Sequence, residues 1–551
     1  MDHRWYQVWP VWVPKTFEVD RPTSEYIREW AGCRPESIAV SFYGQDITYR
    51  ELDGLIDRLA WGLVDLGVGK GDRVAIHLDN CPQFVIAYFA VQRAGAMVVP
   101  VNPMLKHAEL EHEINDAGAE TLIGLDYLYP EVEKVRSRTT LKNVIITSLG
   151  DFLPEDPLFH LPPEAGKAKP AFSNTIDFLY FINKSKNAPI CRVHDLKTDL
   201  ALLIYTGGTT GTPKGVMINH HALSCVSIGA MHWYHLREDD VFLGVTPFFH
   251  IMGQIQLMCA PVVAGGRMVI LSRYVPDVVA QAITQYRCTH WVAATTMVIA
   301  LLNLPDIDKY DLTSFRCLWT GGAPISVELQ KKLIERLPKT IVGEGYGLSE
   351  CLAHGGVITP LHKHKIGFVG IPQMNEVRIM DQETGTIEMG PNETGEITIK
   401  GPVMMLGYWN KPEETQKVLR DGWFYTGDTG CMDEQGYVKF LGRTKELLKC
   451  SGYSVFPTEV ENLLYRHPAV QEAAVIGMTD PYRGETPKAF IVLRDEYKGK
   501  IREEEIIEWC RENMAAYKRP HFVEFRAHLP KSGAGKLLRR VLIDEEESKS
   551  K

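Results

Sequence analysis

The spacing of apolar residues predicts a long amphipathic helix near the start of the chain. Thr48 and Glu51 have the spacing of a capping box, in which each side chain binds a free backbone N–H group at the helix start. Apolar residues then recur every three or four positions, at Leu52, Leu55, Ile56, Leu59, Leu63 and Leu66. The pattern predicts a helix of about five turns that ends at Gly67.

Strand and helix patterns alternate after this helix. Residues 73–78 and 97–101 have the apolar runs of strands, with a helical pattern at 83–93 between them, and the alternation resumes at 241–245, 267–271 and 291–302. Such alternation favours an α/β fold with a mostly parallel sheet covered by helices. The segment 154–187 is rich in Pro, Lys and polar residues without a clear period, so we expect a surface excursion there.

The pattern changes at Gly395. Short alternating runs at 396–400 and 437–441 predict a small β-rich module. An α+β stretch follows, with strands at 473–476 and 489–493 and a helix at 503–514. We therefore predict a large N-terminal domain, residues 1–443, of parallel-sheet α/β subdomains plus a small β-rich subdomain, and a small mobile α+β C-terminal domain, residues 444–551.

Composition excludes several classes of protein. The 551 residues include 60 Lys plus Arg against 69 Asp plus Glu, a balance that argues against a generic nucleic-acid binder. Eleven cysteines without any Cys-x-x-Cys pair argue against a structural zinc site and favour a reducing cytoplasm. We expect neither a signal peptide nor a membrane-spanning segment. Whether the tryptophans near the N-terminus contact a membrane stays open.

The strongest chemical signal follows an apolar strand at 202–204. The loop from Tyr205 to Gly215 contains four glycines, four threonines and Lys214. Glycines let backbone N–H groups approach an anion, threonine hydroxyls add donors, and the lysine adds positive charge. The loop suits a polyphosphate, but it is not a Walker A motif because Pro213 and Gly215 flank Lys214. The alternative is a mobile linker. The position of the loop at the end of a strand disfavours that alternative.

At this loop the sequence resembles the adenylate-forming superfamily, and further motifs match in order from about residue 47 to 540. They are Gly321-Gly322-Ala323-Pro324, Tyr346-Gly347-Leu348-Ser349-Glu350, Tyr425-Thr426-Gly427-Asp428, Gly442-Arg443, Ser451-Gly452-Tyr453 and Pro530-Lys531-Ser532-Gly533-Ala534-Gly535-Lys536. Ser349 stands where the commonest form has Thr. Residues 421–428 and 442–446 look most like the fatty-acyl-CoA synthetase branch.

The resemblance implies an acid–thiol ligase that uses ATP, Mg²⁺ and coenzyme A. It implies that Lys214 and the loop hold the β- and γ-phosphates, that Glu350 anchors Mg²⁺ and that Lys536 bridges the acyl carboxylate and the α-phosphate. Asp428 would bind the ribose and Arg443 the ribose or a phosphate, and Tyr346 would lie against adenine. The implied nucleotide-binding set also includes Thr206, Gly207, Gly208, Thr209, Thr210, Gly211, Thr212, Gly322, Ala323, Pro324, Gly347 and Ser349.

The resemblance also implies two half-reactions and a moving domain. The acyl-adenylate would form first, the small domain would then rotate about a hinge at Lys445, and the CoA thiol would attack and release AMP. Ser451, Gly452 and Tyr453 would line the CoA channel. His250 would orient the acyl carboxylate at a pocket with Gln254 and Gly345, drawn from 250–254, 319–323 and 343–354. The carboxylates Glu344 and Glu350 aside, these stretches suit an uncharged tail, so a medium- or long-chain fatty acid is expected.

Several alternatives compete with this interpretation. Amino-acid activation is disfavoured because the segment Phe248-Phe249-His250-Ile251 has no Asp for an α-ammonium group, and a serine-hydrolase elbow is disfavoured by Cys351. An aryl-CoA ligase and a light-emitting oxygenase share nearly all the motifs. An inactive acyl-nucleotide sensor is the alternative outside enzymes. Relatives make a homodimer plausible.

Overall fold

The computed structural model describes residues 3–193, 195–206, 213–322, 325–353, 355–450, 453–480, 483–532 and 535–549. The α-helices are α1 (Thr23–Cys33), α2 (Tyr49–Asp65), α3 (Pro82–Arg93), α4 (His107–Ala117), α5 (Tyr129–Arg136), α6 (Phe178–Lys184), α7 (His220–Trp233), α8 (Ile251–Gln254), α9 (Ala260–Ala264), α10 (Pro276–Tyr286), α11 (Thr295–Leu302), α12 (Val327–Arg336), α13 (Pro412–Val418), α14 (Pro457–Leu464), α15 (Glu503–Asn513) and α16 (Arg539–Lys549).

The strands fall into two large and two small sheets. They are β1 (Ile38–Phe42), β2 (Gln45–Thr48), β3 (Arg73–His77), β4 (Met97–Pro100), β5 (Thr121–Leu125), β6 (Asn143–Thr147), β7 (Ile176–Asp177), β8 (Leu200–Thr206), β9 (Lys214–Asn219), β10 (Val241–Gly244), β11 (Arg267–Ile270), β12 (His290–Ala294), β13 (Cys317–Gly321), β14 (Ile341–Tyr346), β15 (Val357–Ile358), β16 (Ile371–Pro372), β17 (Glu376–Met380), β18 (Gly395–Lys400), β19 (Gly407–Tyr408), β20 (Leu419–Arg420), β21 (Trp423–Met432), β22 (Val438–Arg443), β23 (Leu448–Cys450), β24 (Tyr453–Val455), β25 (Val470–Asp480), β26 (Gly484–Leu493) and β27 (Phe522–Phe525).

Both large sheets are mostly parallel and belong to the large domain. Their strand orders are β16-β15-β14-β13-β12-β10-β11-β1-β2 and β19-β9-β8-β4-β3-β5-β6-β7. The strands β10 to β14 pair in parallel, whereas the pairs β1–β2, β8–β9 and β9–β19 near the sheet edges are antiparallel. Helices cover the sheets, and α2 packs on α3 and α1. The predicted α/β class is confirmed.

The first predicted helix forms as its sequence indicates. The N–H group of Glu51 donates to Thr48 Oγ1 at 3.2 Å, and the N–H group of Thr48 donates to Glu51 Oε2 at 2.8 Å. This reciprocal capping box satisfies two N–H groups that the first turn cannot pair internally. The face with Leu52, Ile56, Leu59 and Leu63 is fully buried. Burial of this apolar stripe holds α2 against the core.

The β-rich sheet begins earlier than predicted, because its strand β17 lies before Gly395 and pairs with β18. Strands β17, β18, β20, β21 and β22 form an antiparallel sheet that corresponds to the predicted β-rich module. The sheet of the small domain contains β23 to β27, and α14 packs on β25 and α15 on β27. A separate cluster of buried residues fills this domain, among them Leu448, Val475, Ile491 and Ile506. The small domain therefore has a core of its own.

One expectation about elements was wrong in part. The segment 154–187 is not all surface excursion, because β7 pairs with β6 and the side chains of Phe178 and Ile182 on α6 are buried. These two side chains lie one helical turn apart on the same face, so a single short turn of α6 covers the core. The alternation expected at 291–302 is confirmed, because the strand β12 is followed directly by the helix α11, which begins at Thr295.

The N-terminal tryptophans cover the large domain. Trp5 is buried, and Trp9 packs edge-on against Trp233 with a centroid separation of 5.3 Å. The indole N–H group of Trp9 donates to the carbonyl of Val13 at 2.9 Å. In the described ranges, no helix has both the length and the apolar character needed to cross a bilayer.

Candidate active site

Most of the predicted motifs follow the carboxyl ends of strands. Strand β8 ends at Thr206, β13 at Gly321 and β14 at Tyr346. In open α/β sheets, ligand sites form at these ends. Ten of the predicted residues lie outside the described ranges, namely Gly207, Gly208, Thr209, Thr210, Gly211, Thr212, Ala323, Pro324, Ser451 and Gly452.

Asp428, Tyr346 and Arg443 form one cluster. Asp428 on β21 is 4% exposed, and its Oδ2 accepts a hydrogen bond of 2.8 Å from the Tyr346 hydroxyl. Arg443 is its register partner on β22, with Nε 3.6 Å from Oδ1. Burial raises the pKa of Asp428, and the nearby guanidinium opposes that rise. The ring of Tyr346 stacks on Phe440 with centroids 5.5 Å apart. The cluster thus presents an oriented carboxylate at the end of β14.

Lys536 of the small domain reaches the same cleft. Its side chain is open to water, yet Arg443, Asp428, Glu446 and Glu350 lie within electrostatic range of the ammonium. Partial desolvation in the cleft and the charge of Arg443 lower the pKa of Lys536.

Gly535 allows this approach. A Cβ atom there would lie 2.6 Å from Thr296 Oγ1 and 3.3 Å from Ala294 Cβ, and the φ angle is +77°. Both the close contact and the left-handed backbone favour glycine. The segment before Lys536 is therefore seated at the carboxyl end of β12.

His250 stands at the start of α8, half-buried. Its Nδ1 accepts a hydrogen bond of 3.3 Å from the N–H group of Met252, so the neutral ring carries its proton on Nε2. Desolvation, with a smaller contribution from Lys536, lowers the pKa of His250 to about 4. At neutral pH the ring is uncharged and can donate from Nε2.

Asn80 holds the loop that precedes His250, a role that no sequence motif indicated. Its amide donates to the carbonyls of Gly244 and Thr246 at 3.2 and 2.9 Å, and its Oδ1 accepts from the N–H group of Phe248 at 2.7 Å. The side chain is 4% exposed. Three hydrogen bonds to one buried amide hold the loop after β10 against Asn80, which follows β3. Asn80 therefore positions His250 indirectly.

Glu350 lies in the short 3₁₀ turn Ser349–Cys351 and is buried. The Tyr408 hydroxyl donates to Glu350 Oε1 at 2.8 Å, and the Glu350 carbonyl accepts from the N–H group of Met405 at 2.7 Å. Among the described residues no hydrogen bond reaches Oε2. A carboxylate oxygen is a ligand that Mg²⁺ prefers, so the side chain present here fits that ion.

The backbone around Glu350 is tightly constrained. Leu352 and Ala353 have φ angles of 52° and 54°, which are uncommon for residues with side chains. A Cβ atom on Gly347 would lie 1.7 Å from the carbonyl oxygen of Ala353, so only glycine fits there. Strained backbone of this kind is concentrated at functional sites.

Lys214 begins β9, opposite Thr206 on β8. Its Nζ lies 2.7 Å from Glu414 Oε2 and 5.0 Å from the centroid of the Tyr408 ring. The lysine therefore sits between an anion and an aromatic face, at the end of the predicted phosphate loop.

A glycine-rich face lies beside His250. Gly321, Gly343 and Gly345 share one face of β13 and β14 with Trp319, because Trp319 pairs with Gly343. A Cβ atom on Gly343 would lie 2.0 Å from the Trp319 ring, so the indole covers that glycine.

Helix α8 lies beside this face. The sulfur of Met252 lies 3.1 Å from the Cβ position of Gly321, whereas Gly345 has no atom closer than 3.9 Å to its Cβ position. Gln254 is fully buried, and its Oε1 has no hydrogen bond among the described residues. Of the three glycines, Gly345 is therefore the least closely covered.

The predicted hinge and CoA residues lie on the small-domain side. Lys445 is in the 3₁₀ turn Thr444–Glu446, between β22 and β23. The Tyr453 ring is 57% exposed and stacks on Tyr517 with centroids 4.4 Å apart. In this arrangement Lys536, rather than Tyr453, is the described small-domain residue that faces Asp428.

Glu344 is a buried acid beneath the site, and its titration gives a prediction. Burial raises its pKa to about 8, although Gln330 Nε2 donates to it at 3.1 Å. The folded state then binds more protons than the unfolded state between the two pKa values, so the free energy of unfolding falls as pH rises from about 4.5 to about 8. We expect the Glu344→Gln variant to lack this decrease in the free energy of unfolding, which amounts to about 3 kcal/mol in the wild type.

Thermal unfolding by calorimetry from pH 5 to pH 8 measures the effect as the gap between variant and wild-type midpoints. The gap should widen in favour of the variant with rising pH. Glu335→Gln, an exposed position on the same helix as Gln330, is the matched control and should run parallel to the wild type. A constant gap for Glu344→Gln would contradict the assignment.

Comparisons with known proteins agree over the whole chain. Residues 27–409 match the AMP-binding enzyme family, and residues 459–536 match the AMP-binding enzyme C-terminal domain. A long-chain-fatty-acid–CoA ligase of Bacillus subtilis (strain 168) is 39% identical over 555 aligned residues, covering 98% of each chain. A feruloyl-CoA synthase of Amycolatopsis sp. is 34% identical, covering 92% of this chain and 95% of that one. A crystal structure of an anthranilate CoA ligase with anthranoyl-AMP superposes with a TM-score of 0.87 at 26% identity, covering 97% and 99%. The chain therefore belongs to the AMP-binding enzyme family.

Proposed function

We propose that the protein joins a medium- or long-chain fatty acid to coenzyme A by way of an acyl-adenylate, with release of pyrophosphate and AMP. The observation that carries the proposal is the meeting of Lys536, Asp428 and His250 at one cleft, although they come from both domains. Full-length similarity to a long-chain-fatty-acid–CoA ligase supports the class of acid.

The first half-reaction brings two anions together. An oxygen of the fatty-acid carboxylate attacks the α-phosphorus of ATP, a new C–O–P linkage forms, and the bond to pyrophosphate breaks. Lys536 places a positive charge where both anions meet, which offsets their repulsion and the charge that develops at the α-phosphate. Neutral His250 donates a hydrogen bond from Nε2 to the carboxylate and orients it. Lys214 holds the β- and γ-phosphates, and Asp428 accepts hydrogen bonds from the ribose.

Mg²⁺ is implied by this chemistry, and Glu350 would hold it with its Oε2. When bound, the ion neutralises phosphate charge. Tyr408 keeps Oε1 of the same carboxylate occupied, so Oε2 is presented in one orientation. Arg443 supports Asp428 and contacts the ribose or a phosphate.

The second half-reaction needs a different small-domain residue at the cleft. We propose a domain boundary between residues 443 and 444 and a rotation about Lys445, with Ser451, Gly452 and Tyr453 then lining the CoA channel. The separate core of the small domain supports motion as a unit, and the exposed Tyr453 ring is available for a new contact. The thiol of CoA would then attack the acyl carbon, and AMP would leave.

The uncharged glycine face supports a fatty acid as the substrate. It is formed by the glycines of β13 and β14 with Met252, and none of these residues carries a charge. Trp319 adds an apolar ring to this face and packs against Tyr234, with ring centroids 4.8 Å apart. An uncharged tail can enter without leaving a charge unpaired.

A panel of acids tests this class. We expect the highest kcat/KM for CoA-dependent AMP release with medium- or long-chain fatty acids, and at least about 10-fold lower values for benzoate and ferulate, because each additional methylene buried against an apolar surface adds binding energy. Similarity to a feruloyl-CoA synthase makes an aryl-CoA ligase the second candidate. A preference for the aromatic acids would select that candidate, and AMP release without CoA would contradict both.

Free thiols at all eleven cysteines support a reducing cytoplasm as the location. A homodimer stays a prediction from the resemblance.

A further inference from the structure

The ion pair between Lys214 and Glu414 joins residues 200 positions apart, with 2.7 Å between Nζ and Oε2. Both side chains are partly open to water, at 33% and 36% exposure. A buried pair resists opening because each charge would be left unpaired in a poor solvent. This pair lies at the surface of the cleft, so it can open at small cost.

Backbone hydrogen bonds hold the two elements that carry Lys214 and Glu414 next to each other. Strand β19 pairs with β9, and the N–H group of Trp409 donates to the carbonyl of Gly215 at 2.7 Å. The N–H group of Tyr408 donates to Thr415 Oγ1 at 2.9 Å, which ties β19 to α13. Glu414 on α13 is therefore held beside the first residue of β9.

A third group completes the arrangement. Lys417 lies one turn along α13 from Glu414 and binds its other oxygen, Oε1. Hydrogen bonds from Lys214 and Lys417 lower the pKa of Glu414 to about 2, so the carboxylate is ionised at neutral pH. When Lys214 turns away, Lys417 still pairs with Glu414.

We propose that Glu414 is an exchange partner for Lys214, holding its ammonium until the β- and γ-phosphates of ATP, or pyrophosphate, replace the carboxylate. The proposal rests on the proposed function, in which Lys214 binds those phosphates. A polyphosphate carries more negative charge than one carboxylate, so it displaces the Glu414 carboxylate from Lys214. The carboxylate lowers the net affinity for both ligands, and it receives Lys214 again as pyrophosphate departs.

Equilibrium binding to the full chain, without fatty acid or CoA, tests the exchange. The ligands are α,β-methylene-ATP, pyrophosphate and AMP, each with Mg²⁺. In Glu414→Gln we expect Kd to fall about 2- to 5-fold for the ATP analogue and for pyrophosphate, the range for a partly exposed ion pair. The Kd for AMP should not change, because AMP has no β- or γ-phosphate.

Three further variants sharpen the result. Lys417→Ala should have the opposite sign, raising Kd for the ATP analogue and pyrophosphate by a similar factor, because Glu414 then depends on Lys214 alone. The double variant should behave like Glu414→Gln. Glu413→Gln removes the same charge from the neighbouring exposed position and serves as the matched control, with no change expected.

The outcomes are separable. Unchanged or raised Kd values for both polyphosphates in Glu414→Gln, or an equal shift for AMP, would overturn the exchange role. If the wild type binds neither polyphosphate, the proposed function itself fails. Circular dichroism and thermal melting establish that each variant is folded, and Glu414→Ala repeats the charge removal with a smaller side chain.

Discussion

Replacing Lys536 with alanine should lower the rate of acyl-adenylate formation by about 100- to 1,000-fold, the usual cost of removing one preorganised charge from a reacting centre. Thioester formation from a supplied acyl-adenylate should stay within about 3-fold of the wild type, because that step no longer has two anions to hold together. The reason is the position of Lys536, whose ammonium lies within electrostatic range of Asp428, Arg443, Glu350 and His250.

Single-turnover assays separate the two half-reactions. Pyrophosphate release from ATP and fatty acid reports adenylation, and acyl-CoA formation from synthetic acyl-adenylate reports the second step. Lys531→Ala is the matched control, because Lys531 belongs to the same motif but pairs with Glu472 inside the small domain at 2.7 Å. Equal losses in both half-reactions for Lys536→Ala would exclude the proposed role.

Local patterns predicted local structure well. The capping box and the apolar stripe of α2 act within one helix, so their interactions are visible in a window of a few residues. The change of pattern at Gly395 indicated the β-rich module but placed its start one strand late, at β18 instead of β17. The motif order carried the resemblance, and with it the residues Tyr346, Asp428, Arg443 and Lys536 that the structure brings together.

Long-range contacts escaped the sequence. Asn80 binds Phe248 from 168 positions away, and Tyr408 binds Glu350 from 58 positions away. Taken alone, an Asn before a helix and a Tyr in a two-residue strand have many structural uses, so neither pattern indicates a site. Their roles follow only from which strands become neighbours, such as β19 beside β9.

Short apolar patterns were less informative about where elements begin and end. Within 154–187, the buried residues of the helix α6 are Phe178 and Ile182. Two apolar residues in a polar segment are too few to define a helical period. In 291–302 both β12 and α11 are rich in apolar residues, and no Gly or Pro separates them. The strand-to-helix change at Thr295 therefore carries no breaker signal.

Replacing Asp428 with asparagine should raise KM for ATP by about 100-fold, since charge-assisted hydrogen bonds to two ribose hydroxyls are each worth about 1.5–3 kcal/mol. The carboxylate is 4% exposed, and Tyr346 orients it through Oδ2. Asparagine keeps one acceptor oxygen but loses the negative charge beside Arg443. Loss of that charge also leaves the guanidinium less well held.

A thermodynamic cycle that combines the Asp428→Asn substitution with 2′-deoxy-ATP shows whether Asp428 binds the 2′-hydroxyl. If Asp428 binds the 2′-hydroxyl, the wild type should prefer ATP over 2′-deoxy-ATP by about 10-fold, and the variant should lose most of that preference because the two changes remove the same hydrogen bond. Asp421→Asn, in the exposed turn before β21, is the control and should keep both KM values. Strict additivity of the substitution and the missing hydroxyl would place Asp428 away from the 2′-hydroxyl, and its charge would then act on Arg443 and Lys536 alone.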